Sequence, residues 1–151
     1  MQNRRFVKPG PARQAPQFKV VVAFDDMAAS SSAMRTCDYV VQQLGEDIVV
    51  RRKVVDLEDE PDESELAAAA RDAANADMVI VSTKEDAQLP APMRRWLDQW
   101  SAQRPQREGA LVAILNRDER GLSHSQSVRD QLASLARQAN MDFFSSEVVA
   151  V

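Results

Sequence analysis

Two adjacent carboxylates stand at a position where parallel α/β folds place their chemistry. Asp25 and Asp26 follow the apolar run KVVVAF, and a tract of small and hydroxyl residues comes after them. Paired carboxylates suit Mg²⁺, which prefers hard oxygen ligands. Alternatively, one aspartate caps the following helix, because its side chain accepts a backbone N–H bond and stabilises the helix by about 1 kcal/mol. Both interpretations favour a cation or a helix end here and disfavour a phosphate.

Three further polar residues follow two other predicted strands. Ser82 and Thr83 come after the apolar run MVIV, and Asn116 comes after ALVAIL. The carboxyl ends of parallel strands meet at one edge of the sheet, where ligands bind in doubly wound folds. The candidate crevice residues are therefore Asp25, Asp26, Ser82, Thr83 and Asn116.

The sequence contains no complete set of catalytic residues for this crevice. The motifs GxGxxG, GxxxxGK[ST] and GxSxG are absent, and four glycines leave little material for a phosphate-binding loop. His124 is the single histidine and Cys37 the single cysteine, and neither has a neighbouring partner in sequence that would make it a catalytic or metal-binding residue. The pattern therefore predicts no catalytic residue.

The elements that must position the crevice alternate between strand and helix. Apolar runs predict five strands, at 19–24, 48–57, 78–81, 110–115 and 143–151. Helical periodicity predicts four helices, at about 28–44, 61–76, 90–103 and 128–139. This alternation indicates a three-layer, doubly wound parallel sheet of flavodoxin-like type with strand order 2-1-3-4-5. The charged run RRK at 51–53 places the second strand at an edge.

The helix that normally follows strand five in this fold is missing from the pattern. One sheet face beside helix one should then be uncovered, and either Phe143 or Phe144 lies on it, since adjacent strand residues point to opposite faces. Open apolar faces of several hundred Å² are uncommon on monomers. The N-terminal arm or a second subunit would cover this face, and a homodimer is our hypothesis.

Composition bounds the organisation and the partners of the chain. Residues 1–17 form a flexible, basic, proline-containing arm, and residues 18–151 form a single domain. With 19 Lys and Arg against 23 Asp and Glu, the chain has no general attraction for nucleic acid or an anionic membrane. A lone cysteine, with no signal peptide or spanning segment, favours the cytoplasm.

The stretch VVVAFDDMAASSSAM resembles the opening of response-regulator receiver domains, in which an acidic pair binds magnesium beside a phosphorylated aspartate. That resemblance implies a Mg²⁺ site at Asp25 and Asp26. Ser82 aligns with the phospho-acceptor aspartate, Asn116 stands near the usual Ser or Thr switch position, and no lysine occurs after Lys84, so three of the required parts are replaced or absent. The resemblance therefore implies a degenerate receiver that cannot be phosphorylated.

The stretch ADMVIVSTKEDAQLPAPMRRWLDQW is similar to flavodoxins and flavin reductases, which implies FMN as an alternative cofactor. A flavin phosphate is cradled by hydroxyl and backbone N–H groups at the start of helix one. Asp25 and Asp26 would repel it by about a kcal/mol per charge. The loop 84–89 also lacks an aromatic residue to stack on the flavin ring.

The third helix carries the candidates for a partner surface. Trp96 and Trp100 are spaced i, i+4 and share a face, so core packing is their default and an exposed ring would be an interaction anchor. Arg94 and Arg95 begin a basic flank, which continues at Arg104 and Arg107, that could meet an acidic partner.

The element pattern, together with ADMVIVS, LPAPMRRWLDQW and ANMDFF, resembles a group of small bacterial α/β proteins of the flavodoxin-like and receiver-like class. This resemblance implies the fold and a link to bacterial signalling, without an established activity. The leading hypothesis is a non-enzymatic regulatory or protein-interaction domain, without a cofactor, whose partner is another protein or a second copy. The alternative is an FMN- or nucleotide-binding redox protein.

Overall fold

The computed structural model describes residues 16–84, 88–117 and 125–149. Most of the predicted arm lies outside these ranges, and so does His124. Gln17, which the prediction assigns to the arm, is instead the first residue of a strand. It pairs in register with Val49, whose N–H donates to the carbonyl of Pro16 at 2.9 Å.

Within the described ranges, five strands form one parallel sheet. They are β1 (Gln17–Phe24), β2 (Val49–Asp56), β3 (Met78–Lys84), β4 (Ala110–Arg117) and β5 (Asp142–Val149). Their order is β2-β1-β3-β4-β5, and all four neighbouring pairs are parallel, which confirms the predicted order 2-1-3-4-5. β2 lies at an edge as predicted, and Val55 is its one fully buried residue.

In the described part of the chain, four helices connect these strands. They are α1 (Met27–Leu44), α2 (Glu63–Ala74), α3 (Ala91–Gln103) and α4 (Ser125–Gln138). Gly45 ends α1 with φ at +82°, a conformation that costs glycine little. The predicted start of α2 at Pro61 is wrong. Asp62 is the N-cap, and it forms a capping box with Glu65, so the helix begins after both the proline and the cap.

The helices divide between the two faces of the sheet. The larger core lies between the sheet and α2, α3 and α4, and the smaller core lies beneath α1. Trp96 and Trp100 are both 0% exposed in the larger core, with ring centroids 5.9 Å apart in an edge-to-face arrangement. Both rings are therefore core residues. Neither tryptophan ring is exposed, so neither meets the condition for an interaction anchor.

The sheet face on the α1 side is only partly covered within the described residues. Phe143 packs against the larger core, whereas Phe144, opposite Val112 on β4, is 56% exposed. Met78, Val112 and Val148 are only partly buried against the smaller core. We call Met78, Val112, Phe144 and Val148 the uncovered face. No helix in the described ranges has the length and apolarity needed to cross a membrane.

Trp100→Ala is expected to lower the free energy of unfolding by about 3–5 kcal/mol, because it removes a fully buried ring and leaves a cavity. Arg95→Ala, at an exposed position on the same helix, should change it by less than about 0.5 kcal/mol. Urea unfolding followed by circular dichroism measures both. Equal effects of the two substitutions would contradict the core placement of Trp100.

Candidate functional site

The connection between β1 and α1 consists of two residues, Asp25 and Asp26. Asp26 is the N-cap of α1, since its Oδ1 accepts the N–H of Ala29 at 2.8 Å. Its Oδ2 lies 3.5 Å from Nζ of Lys84 at the end of β3. The predicted capping role of one aspartate is therefore confirmed, and the residue is Asp26.

Carboxylates already occupy N–H groups that an anionic ligand would use at this helix end. The N–H of Met27 donates to Oε2 of Glu58 at 3.2 Å, and the N–H of Ala29 donates to Asp26. Phosphates bind helix N-termini through such N–H groups, aided by the helix dipole. With these donors engaged and Asp25 adding a further carboxylate close by, the start of α1 disfavours a phosphate.

Asp25 is held by the sheet rather than by solvent. Thr83 Oγ1 donates a hydrogen bond to Oδ2 of Asp25. The other carboxylate oxygen of Asp25, Oδ1, is buried without a partner among the described residues. Burial raises the pKa of Asp25 above its ordinary value, the charge of Asp26 raises it further, and the Thr83 hydrogen bond opposes both effects. Asp25, the aspartate that does not cap the helix, is therefore bonded to Thr83 of β3.

The other crevice candidates are bonded to one another through a residue that sequence reasoning missed. Ser32 Oγ donates to Asn116 Oδ1 at 2.8 Å, and Asn116 Nδ2 donates to Ser82 Oγ at 2.9 Å. The hydroxyls of Ser82 and Ser32, 3.1 Å apart, close the ring. Asn116 Nδ2 also donates to the carbonyl of Thr83 at 3.0 Å. We call Ser32, Ser82 and Asn116 the crevice ring.

The helical spacing of Ser32 could have identified it, because it lies one turn after Ala29 on the sheet-facing side of α1. In the structure it is the buried one of the three consecutive serines, 6% exposed. The structure thus brings all five predicted crevice residues to the carboxyl-terminal end of the sheet. Asp25 is bonded to Thr83, Ser82 and Asn116 belong to the crevice ring, and Asp26 caps α1.

The geometry offers little to a metal ion. Across the described ranges, no group of three or more His, Cys, Asp and Glu side chains is arranged to hold one. Asp26 is directed to the helix N–H group and to Lys84, and Asp25 to Thr83. Mg²⁺ at Asp25 and Asp26 stays a prediction that rests on two carboxylates alone.

Half of the predicted basic flank has internal partners. Arg104 Nη1 donates to the carbonyl of Ala76 at 2.9 Å, and burial lowers the pKa of Arg104. Arg107 forms an ion pair with Asp77. Arg94 and Arg95 are exposed on α3, so the flank available to a partner is reduced to these two residues.

Comparison with known proteins relates the chain to the flavodoxin-like fold. No family model matches it, and no curated protein matches it in sequence. Among solved structures, it is similar to the Trp repressor binding protein from Bacillus subtilis, with a TM-score of 0.59, 11% identity and 87% and 85% of the two chains covered. It is also similar to a short-chain flavodoxin associated with a PDU bacterial microcompartment, with a TM-score of 0.59, 13% identity and 90% and 83% covered. At such identities the likeness establishes the flavodoxin-like fold alone.

Asp25→Asn should stabilise the protein at pH 7 by on the order of 1 kcal/mol, because it removes a charge that burial disfavours. A carboxyl group whose folded-state pKa is raised binds its proton more tightly in the folded state. Its stabilising contribution is complete below the ordinary pKa of 3.8 and is lost as the pH rises through the raised value. The advantage of the variant should therefore disappear as the pH falls below about 4.

Urea unfolding at a series of pH values measures this difference. Asp98→Asn, at an exposed position of α3, is the matched control and should change stability by less than about 0.5 kcal/mol. If Asp25→Asn were less stable than the wild-type protein at pH 7, the account of Asp25 as a disfavoured buried charge would be contradicted.

Ser82→Ala should lower the free energy of unfolding by about 1–3 kcal/mol, because Ser82 is fully buried and the change breaks two bonds of the crevice ring. Ser145→Ala, at an exposed serine on the other side of β5, is the control and should change it by less than about 0.5 kcal/mol. Thermal unfolding compares them. Similar values for the two variants would mean that the ring contributes nothing to stability.

Proposed function

We propose that this protein is a non-enzymatic protein-interaction domain on a flavodoxin-like scaffold, and that it pairs with a second copy of itself through the uncovered face. The arrangement of the crevice supports the first part of the proposal, a non-enzymatic protein-interaction domain. The N–H groups of Met27 and Ala29 donate to carboxylates, and the hydroxyls of Ser32 and Thr83 donate to other crevice side chains, where a cofactor phosphate would need these donors. With the crevice engaged in this way, the uncovered face is the better binding surface.

The composition of the uncovered face supports self-association. Phe144 is 56% exposed on it, beside the half-buried Val112 and Val148. Along the α1 side of β5 the residues are Asp142, Phe144, Ser146 and Val148, of which Asp142, at the start of the strand, is the one charged member. Two copies related by a two-fold axis would bury apolar groups without opposing rows of like charge.

A second exposed aromatic residue borders this face. Tyr39 is 62% exposed on α1 and lies seven residues, two helical turns, after Ser32. Ser32 faces β4, because it donates to Asn116 there. Tyr39 is therefore on the side of α1 that looks toward β4 and β5. Tyr39 and Phe144 thus belong to residue types, tyrosine and phenylalanine, that are enriched in protein interfaces.

A second copy suits this face better than the N-terminal arm does. Fifteen residues are long enough to reach it, since β4 lies two strand spacings, about 10 Å, from β1. However, the arm carries Arg4, Arg5, Lys8 and Arg13 and no acid. Four cations would gain no ion pair on an almost uncharged face, and some of their hydration would be lost.

A flavin- or nucleotide-binding redox protein is the second candidate, and the short-chain flavodoxin among the similar structures favours it. FMN in the crevice would have to displace the carboxylates of Asp26 and Glu58 from the first turn of α1. It would also have to accept Asp25 beside its phosphate. These two requirements rank this candidate second.

Sedimentation velocity tests the pairing. We expect the wild-type protein to be a dimer at tens of micromolar, as a modest apolar interface predicts. Phe144→Lys should be a monomer, because the charge would be buried at the centre of the contact. Val54→Lys is the matched control, since Val54 is 51% exposed on the same sheet side but on the opposite edge strand. It should remain dimeric.

Circular dichroism would establish that both variants are folded. A wild-type protein that stays monomeric at about 100 μM would overturn pairing with a second copy. Equal dissociation of the two lysine variants would place the contact elsewhere on the molecule.

A further inference from the structure

A basic groove lies at the opposite end of the sheet from the crevice. It has a volume of about 420 Å³ and is formed by the amino-terminal half of β1, the edge strand β2 and the last turn of α2. Four cationic side chains line it, namely Lys19, Arg51, Lys53 and Arg71. Among the described residues that line it, Asp72 is the one acid, so this lining carries a net charge of +3. The volume is within the range of small-ligand sites.

The strand register forces like charges together in this groove. Lys19 lies directly opposite Arg51, and Lys53 lies opposite Val21 on the same side of the sheet. Like charges directly opposite each other on neighbouring strands are destabilising. The arrangement therefore contains a repulsion that a bound anion would relieve.

The nearby polar groups do not neutralise these charges within the described chain. Arg51 Nε donates to the amide oxygen of Gln17, at 3.2 Å, and this contact carries no countercharge. No ion pair involves the side chains of Lys19, Lys53 or Arg71 in the same ranges. The carboxylate of Asp77 is close to Lys19, but it accepts the backbone N–H of that residue and pairs with Arg107.

Protection of an exposed sheet edge does not explain the whole arrangement. Basic side chains on an edge strand discourage pairing with other chains, which accounts for Arg51 and Lys53. Edge protection does not require a concave surface. It also does not require the other two cations, Lys19 on β1 and Arg71 on α2. Two guanidinium groups and two ammonium groups around one groove match the oxygen atoms of phosphates and carboxylates.

We infer that this groove binds a small polyanion, a molecule with at least two phosphate or carboxylate groups. The site is separate from the crevice and from the uncovered face, so it does not depend on the proposed function. Affinity comes from charge-assisted hydrogen bonds and from relief of the repulsion among the cations. Such binding weakens as the ionic strength rises.

Isothermal titration calorimetry of the full chain with pyrophosphate, ADP and citrate, at about 50 mM salt, tests the inference. We expect at least one probe to bind with a Kd on the order of 10–100 μM. Pyrophosphate and ADP without citrate would define a phosphate site, and binding of all three would define a general polyanion site. No binding of any probe at millimolar concentration would overturn the inference.

Lys53→Gln should weaken binding about tenfold, because it removes one charged contact. Without ligand, its Tm should equal or exceed that of the wild-type protein, because the repulsion within the groove is reduced. Arg95→Gln, the same charge change at an exposed position of α3, should leave the affinity within about twofold. Equal weakening by both variants would indicate an effect of overall charge and would overturn the site.

Discussion

The first turn of α1 is the constraint on which the crevice depends. β1 runs into this helix through two residues only, and the side chains that satisfy the helix N–H groups are carboxylates from Asp26 and Glu58. Once those donors are engaged, the position at which a flavodoxin-like fold can hold a phosphate has negative groups instead. Beneath it, the crevice ring bonds the side chains of Ser32, Ser82 and Asn116 to one another.

The scaffold and the crevice are governed by different residues. Parallel pairing of five strands and two apolar cores specify the flavodoxin-like fold, which persists at 11–13% identity to the structures it resembles. The same scaffold exposes an uncovered apolar face on one side and a basic groove at its far end, and both surfaces are available for binding.

The sequence predicted local and periodic features well, and it failed where distant residues meet. Strand order, the edge position of β2 and the N-cap followed from apolar runs, charge and helix-start chemistry. The contact of Thr83 with Asp25 spans 58 residues, and that of Ser32 with Asn116 spans 84. Such contacts depend on strand register and helix rotation, which apolar patterns define only coarsely. The internal partners of Arg104 escaped prediction for the same reason.

An amide NMR titration of the protein with FMN tests the central claim most directly, because it observes the N–H groups of Met27 and Ala29 themselves. If those groups are engaged by Glu58 and Asp26, as the structure has them, neither resonance should shift saturably up to about 1 mM FMN. Saturable shifts of both amides with a low-micromolar Kd would contradict the account, since FMN would then have replaced the carboxylates.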